Sequence, residues 1–189
     1  MRLSRDAAVS LPNVLVVTGI MAAGKSTVAQ AIAERLPRAV HLHGDVFRKM
    51  IVTGRVAMEP ETMREGEAQL LLRYELAATA ARRYAEAAFQ VVWQDVILGP
   101  HLRMVADMLS GIDFGIVVLC PSPTVVAERE KARPKTGYGG WTPEMLDTGF
   151  RASTPRLGLW LDTSALDVTQ TVDAVFARAG ETRTGPAAV

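Results

Sequence analysis

Short apolar runs rich in β-branched residues alternate along this chain with stretches whose apolar positions recur every three or four residues. The first pattern reads as buried strand and the second as amphipathic helix. Strands are expected at Val14–Thr18, Ala39–His43, Val91–Gln94, Gly115–Cys120 and Gly158–Leu161. Helices are expected at Lys25–Leu36, Glu61–Ala88, His101–Leu109, Pro123–Lys131, Pro143–Phe150 and Val168–Ala179. Strand alternating with helix is the order of a parallel sheet covered on both faces, so the fold class is α/β with five strands. The alternation breaks once, at Val46–Ala88, where one long helical insertion separates the second and third strands. Thr182–Val189 carries Gly, Pro and small residues and is expected to fray as a tail. No internal repeat is visible, and 189 residues suit a single domain.

The turn between the first strand and the first helix carries the strongest chemistry. Gly19-Ile20-Met21-Ala22-Ala23-Gly24-Lys25-Ser26 fits G-x-x-x-x-G-K-[ST], the phosphate-cradling loop. Four fixed positions coincide by accident on the order of once per hundred such chains or fewer. Strand, loop and helix in that order set a helix N-terminus against phosphates. Gly19 and Gly24 permit backbone angles that a side chain forbids. The backbone N–H groups from Gly19 through Met21, Ala22, Ala23 and on to Thr27 then point at phosphate oxygens. Lys25 supplies a mobile charge for the β- and γ-phosphates, and the Ser26 hydroxyl is placed for Mg²⁺. ATP and Mg²⁺ are therefore the expected ligands.

Two carboxylates follow strands and so reach the same rim, since ligands of open parallel sheets sit at strand carboxyl ends. Asp45 comes directly after the second strand. It either accepts the proton of an attacking hydroxyl or caps the helix that follows, and both roles are compatible. Asp95 ends the third strand after Gln94, and serves the metal through water, the acceptor, or a cap before Gly99-Pro100. In the insertion, Gln69 and Arg73 lie four apart among apolar residues. They line an acceptor pocket or mark the polar edge of a helix. Arg48 joins them as a candidate for acceptor binding. His41 and His43 share a strand face, lack a third metal ligand of suitable spacing, and read as structural, with His43 near enough to orient Asp45.

Arg129 and Arg133 are four apart on a helix that Pro134 ends, followed by Gly137, Gly139 and Gly140. The stretch 124–141 is either an arginine-bearing lid that closes on ATP or a solvated helix paired to Glu128 and Glu130. Tyr138 and Trp141 either plug the closed site or anchor its loop.

Composition narrows the partners. With a formal net charge of +1, no charge block points to nucleic acid or anionic membrane. No apolar stretch reaches the roughly 18 residues of a membrane span, and Met1–Leu11 lacks the apolar core of a secretory leader. Cys120 is the single cysteine, a small core residue, so a reducing cytoplasm is the expected compartment. Either a monomer or a homo-oligomer is compatible with the sequence.

With these residues assembled, the chain resembles the small phosphate-loop kinases of the nucleoside-monophosphate-kinase-like group. It is most similar to the antibiotic O-phosphotransferases typified by chloramphenicol phosphotransferase, and more distantly to gluconate and shikimate kinases. The resemblance spans about Asn13 to Ala179 and rests on Gly19–Ser26, Asp45, Arg129 with Arg133, and Asp162-Thr163-Ser164 after the last strand. It implies a phosphate-loop fold in which Asp45 faces the acceptor hydroxyl. It also implies that Arg129 and Arg133 flank the adenine or the phosphates, and that Asp162, Thr163 and Ser164 border the base. Catalysis would fall to Asp45, Lys25 and Arg133. The chain departs from nucleotide kinases in lacking a long lid domain and in having Met21-Ala22-Ala23 inside the loop. The implied acceptor is thus a small hydroxylated molecule, with an antibiotic or related natural product first and a sugar or sugar acid second. A non-catalytic nucleotide switch is the rival from another class.

Overall fold

β1 (Val14–Thr18) is buried at every position, because it lies between β3 (Gln90–Gln94) and β4 (Phe114–Leu119). A strand paired on both edges and covered on both faces has no wet side, which is why its sequence is an unbroken apolar run. β2 (Ala39–His43) and β5 (Leu159–Leu161) form the two edges. The order is β2-β3-β1-β4-β5, and every pairing is parallel. The α/β fold with a five-stranded parallel sheet, expected from the alternation, is found. The computed structural model describes residues 10–132 and 142–184.

α1 (Lys25–Glu34) packs on β2 and β3 beside α7 (Val168–Ala177). α3 (Met63–Glu86) lies against the same two strands, with α4 (His101–Met108) beside it, so the two pairs of helices sandwich the sheet. α3 buries Tyr74, Ala77, Ala78 and Ala81, a stripe at helical spacing. The small residues let the helix approach closely. α5 (Pro123–Lys131) and α6 (Pro143–Ser153) pack on each other, and each starts under a hydroxyl cap. The caps are Ser122 onto the Val125 N–H and Thr142 onto the Met145 N–H.

The insertion is not one continuous helix. α2 (Asp45–Lys49) is followed by residues 50–59 without helix, a single 3₁₀ turn at Pro60–Thr62, and then α3. Gly54, at φ 76°, and Pro60 interrupt the helical pattern. α3 itself ends at Glu86, where Ala88 takes the left-handed φ of 62° that turns the chain into β3.

The expectation of a frayed tail from Thr182 is corrected. α8 (Ala179–Thr182) packs on β4, and Thr182 is fully buried. Arg183 pairs with Asp113 and donates to the Ser10 carbonyl. Gly115 has no side chain because Thr182 and Pro12 occupy the space a Cβ would need. Residues 185–189 lie outside the described residues. Among the described residues, no helix is long and apolar enough to cross a membrane.

Candidate active site

The turn after β1 is held by close contact and by unusual backbone. A Cβ on Gly19, at φ 143°, would overlap the Leu119 carbonyl of β4. Gly24, at φ 94°, is the N-cap residue of α1. Ala22, between them, also takes a left-handed φ of 60°, a conformation that a β-carbon penalises. α1 starts with no side-chain cap and no acidic residue in its first turn. Its leading N–H groups are therefore left for an anion. Lys25 is buried, with Nζ donating to the Ile20 carbonyl at 2.8 Å, and so lies back across the loop it belongs to. Thr18 anchors the loop's base, exchanging hydrogen bonds with both the N–H and the carbonyl of Ile97.

The strand ends bring the carboxylates to this loop. Asp45 is in the first turn of α2, where Gly44 takes the capping position and no side-chain cap forms. The helix-cap reading of Asp45 therefore does not apply, and its half-exposed carboxylate is left to the cavity. Lys49 Nζ lies 2.8 Å from Asp45 Oδ2, and Arg73 Nη1 lies 3.6 Å from Oδ1. Burial alone would raise the Asp45 pKa. The Lys49 hydrogen bond and the charges of Lys49, Arg73 and Arg48 outweigh it and hold the carboxyl below its ordinary value.

Asp95 is in the opposite condition. It is buried, with Oδ1 accepting from Arg73 Nη2 at 2.5 Å and from the Val96 N–H at 2.7 Å. Oδ2 has no hydrogen-bond partner among the described residues. Burial pushes its pKa up to about 6, against the lowering effect of Arg73, the Val96 N–H and Lys25; Asp45 adds to the rise. Oδ2 sits so close to the Gly44 α-carbon that a Cβ there would overlap it. Gly44 is thus a packing requirement of the site, although its backbone is an ordinary helical one.

Gln94 is a site residue that sequence reasoning left unassigned. Its Oε1 accepts from Ser26 Oγ at 3.3 Å, and its Nε2 lies 3.1 Å from His43 Nδ1. His43 therefore turns to Gln94 rather than to Asp45. The two histidine ring centroids lie 3.9 Å apart with the planes tilted by 35°, both rings being on one strand face, and His41 Nδ1 meets Gln30. Burial first, and the His43 neighbour second, lower the His41 pKa to about 4. The available signal was Gln94's place at the last register position of β3, opposite the end of β1.

One cavity of about 1290 Å³ joins these parts. Met21, Ala22, Gly24, Lys25, Ser26 and Thr27 line one end, and Asp45, Arg73 and Asp95 its middle. Gly19 and Ala23 shape the loop from below. Arg48 and Gln69 line the far end, but their polar groups hold the 54–56 loop. Arg48 donates to the Val56 carbonyl, while Gln69 donates to the Gly54 carbonyl and accepts from the Val56 N–H.

Arg129 spans the phosphate loop and the segment after β5. It donates to the Ala23 carbonyl at 3.4 Å and the Thr163 carbonyl at 3.2 Å. Asp162, Thr163 and Ser164 do not line the cavity and lie behind Arg129. Asp162 accepts from the Ser164 N–H and hydroxyl, which with a minor opposing effect of burial holds its pKa low, and Ser164 caps the Ser122 N–H. Arg133, Tyr138 and Trp141 lie outside the described residues.

For a metal, the site offers the Ser26 hydroxyl and the unpartnered Asp95 oxygen. Among the described residues no group of three His, Cys, Asp or Glu side chains could hold an ion. Two hard oxygens without a full cage fit Mg²⁺, which keeps most of its waters and takes few protein ligands.

Comparison with known proteins agrees with this fold. The fold is shared with a tunicamycin resistance protein of Deinococcus radiodurans, with a TM-score of 0.66 and 21% identity over 93% of this chain and 99% of that one. It is shared with a sugar kinase from Janibacter sp. at 0.63 and 19%, covering 89% and 94%. A gluconokinase from Sinorhizobium meliloti follows at 0.59 and 20%, covering 90% and 93%. No curated protein matches by sequence. A family model described as an AAA domain matches residues 14–145, from β1 into α6, and the chain belongs to that AAA domain family.

Proposed function

We propose that the chain is an ATP-dependent O-phosphotransferase that moves the γ-phosphoryl group to a hydroxyl of a small molecule. The observation that carries this reading is the shared cavity: the uncapped start of α1 and the half-exposed Asp45 open into one space. The acceptor oxygen attacks the γ-phosphorus, the bond to the β–γ bridging oxygen breaks, ADP leaves, and the hydroxyl proton passes to Asp45. Asp45 is held ionised by Lys49, Arg73 and Arg48, so it orients the hydroxyl and takes the proton late. Lys25, Arg129 and the α1 N–H groups meet the phosphate charge, with Arg133 completing the lid. Of the segment Asp162–Ser164, Thr163 acts on the site through its carbonyl, which accepts from Arg129 and positions it. Bound Mg²⁺ would neutralise phosphate charge, with Ser26 and Asp95 as the residues to hold it.

An antibiotic or related natural product is the leading acceptor, and the tunicamycin resistance protein among the structural relatives supports it. A sugar or sugar acid is the second reading, favoured by the sugar kinase and gluconokinase of the same fold. The lone buried Cys120 supports a cytoplasmic setting.

The test is mass spectrometry of products after incubation with Mg·ATP and a mixed set of hydroxylated antibiotics, nucleosides and sugars. A phosphorylated acceptor that disappears in Lys25→Ala is the expected result. ATP binding with no phosphorylated product across the set would favour a non-catalytic nucleotide switch.

A further inference from the structure

The far end of the cavity has a chemistry of its own. Val46, Met58 and Met63 line it and remain 44%, 50% and 46% exposed. Leu70 follows Met63 at helical spacing on α3, and Leu98 and Leu146 line the same cavity. Apolar side chains left this open inside a concavity are uncovered contact surface. The polar groups nearest these side chains are largely engaged elsewhere, the exceptions being Arg73 Nε and Asp95 Oδ2, which have no partner among the described residues and flank Asp45 instead. Arg48 Nη2 and both ends of the Gln69 amide hold the 54–56 loop. The Tyr74 hydroxyl donates to the Val96 carbonyl, and Arg73 Nη2 is bound to Asp95. A polyol entering here would lose water from its hydroxyls and find these donors and acceptors already in use, which is a net cost.

The wall is also preset. Gly66 of α3 is bare of a side chain where the Ala57 carbonyl and Met58 cross it, since a Cβ would lie 3.0 Å from each. That close crossing, together with the Arg48 and Gln69 hydrogen bonds, holds Met58 over the cavity. Thr62 Oγ1 adds a further tie, donating to the Ala57 carbonyl at 2.7 Å.

From this juxtaposition we infer that the acceptor is an alcohol with a bulky apolar body. The body lies between Met58, Met63 and Leu70, and its hydroxyl is presented to Asp45. This rests on the phosphotransfer reading above for the role of Asp45, but the apolar subsite itself is a binding surface and is testable by binding alone. Methionine suits such a wall, because its unbranched thioether adapts to irregular apolar shapes. Met58 and Met63 are then specificity-determining residues, and the polyols and sugar acids are poor acceptors.

Matched probes isolate the effect. Phenyl β-glucoside and octyl β-glucoside carry the glucose hydroxyls plus an apolar body; glucose and gluconate do not. Binding of each is measured by saturation-transfer NMR with a non-hydrolysable ATP analogue present. The two glycosides should bind at least about tenfold more tightly than glucose or gluconate, given the area a phenyl or octyl group can bury. Met58→Gln/Met63→Gln should abolish that advantage, while Met58→Leu/Met63→Leu retains it. Glucose or gluconate binding as well as the glycosides would overturn the inference, as would an advantage that survives the glutamine substitutions. The same samples with Mg·ATP report transfer separately. Glycoside preference without any phosphorylated product would leave the apolar subsite standing and remove the phosphotransferase reading. Transfer to gluconate in preference to the glycosides would do the reverse.

Discussion

Replacing Arg73 by Met keeps the stem that packs on the sheet and removes the charge between Asp45 and Asp95. The Arg73 side chain is 10% exposed and that of Asp95 only 2%, so the Asp95 carboxylate depends on the guanidinium far more than on solvent. In the wild type the Asp95 pKa is about 6, raised by burial from an ordinary 3.8. A carboxyl with a raised folded pKa stays protonated where the unfolded chain has already lost its proton. Stability therefore falls as pH rises between those two values and is level above the higher one. Arg73 is the largest influence opposing the rise. Without it the carboxyl stays protonated to higher pH, and the falling limb extends beyond the wild-type window. Each pH unit there is worth about 1.4 kcal/mol, so by about pH 8 the variant should trail the wild type by up to about 3 kcal/mol more than it does near pH 5. That is consistent with the roughly 3–5 kcal/mol typical of a broken buried pair. Near pH 5 both proteins carry a neutral Asp95, and the gap should shrink to about 1 kcal/mol, the worth of a lost hydrogen bond. Urea unfolding followed by the fluorescence of buried Trp93 and its fellow tryptophans, at about one-unit pH steps across this range, measures the gap. A difference that is the same at both ends of the range would refute the reasoning. The double variant Arg73→Met/Asp95→Asn should remove the extra pH dependence altogether.

Further outcomes follow from the same geometry. Asp45→Asn should lower the transfer rate by roughly 10²–10⁴ with little change in ATP affinity; collapsed ATP binding with surviving turnover would place Asp45 on the nucleotide side. Arg129→Ala cuts the tie between the Ala23 and Thr163 carbonyls and should weaken ATP binding in calorimetry. Unchanged nucleotide affinity would make Arg129 a purely structural brace. Ala22→Gly removes a β-carbon from a left-handed position and should raise stability by about 1 kcal/mol or less. A variant that melts at or below the wild-type temperature would count against strain at Ala22.

Much of the site was legible because its parts are local. Gly19, Gly24, Lys25 and Ser26 belong to one turn, and a turn of eight consecutive residues is written in order. Asp45 and Asp95 could be placed at the rim because each directly follows a strand of a parallel sheet. Arg48 and Gln69 were harder. Their residue types suit a ligand, and only the folded 54–56 loop reveals that their hydrogen bonds go to Gly54 and Val56. The break in the insertion was written in Gly54 and Pro60, but helical periodicity on either side masked it. Thr182 and Arg183 looked like a tail in composition, yet find Ala179, Asp113 and Ser10 in space.

By itself, the sequence determined the strand–loop–helix unit, the five alternating strands and the residue types available for phosphate chemistry. These depend on periodicity and on spacing within short segments, where covalent connection sets geometry. The tertiary structure alone decided how the charges are shared. Asp45 and Asp95 have similar chemistry, and the sequence separates them only in part: Arg48 and Lys49 follow Asp45 at helical spacing, whereas no such cation follows Asp95. The fold buries one against Gly44 and Arg73, so its pKa rises, and leaves the other beside Lys49 in the cavity, so its pKa falls. The Lys49 pair is local, but the burial of Asp95 and the placing of Arg73 against both carboxylates are products of packing between distant segments, and no local pattern encodes them.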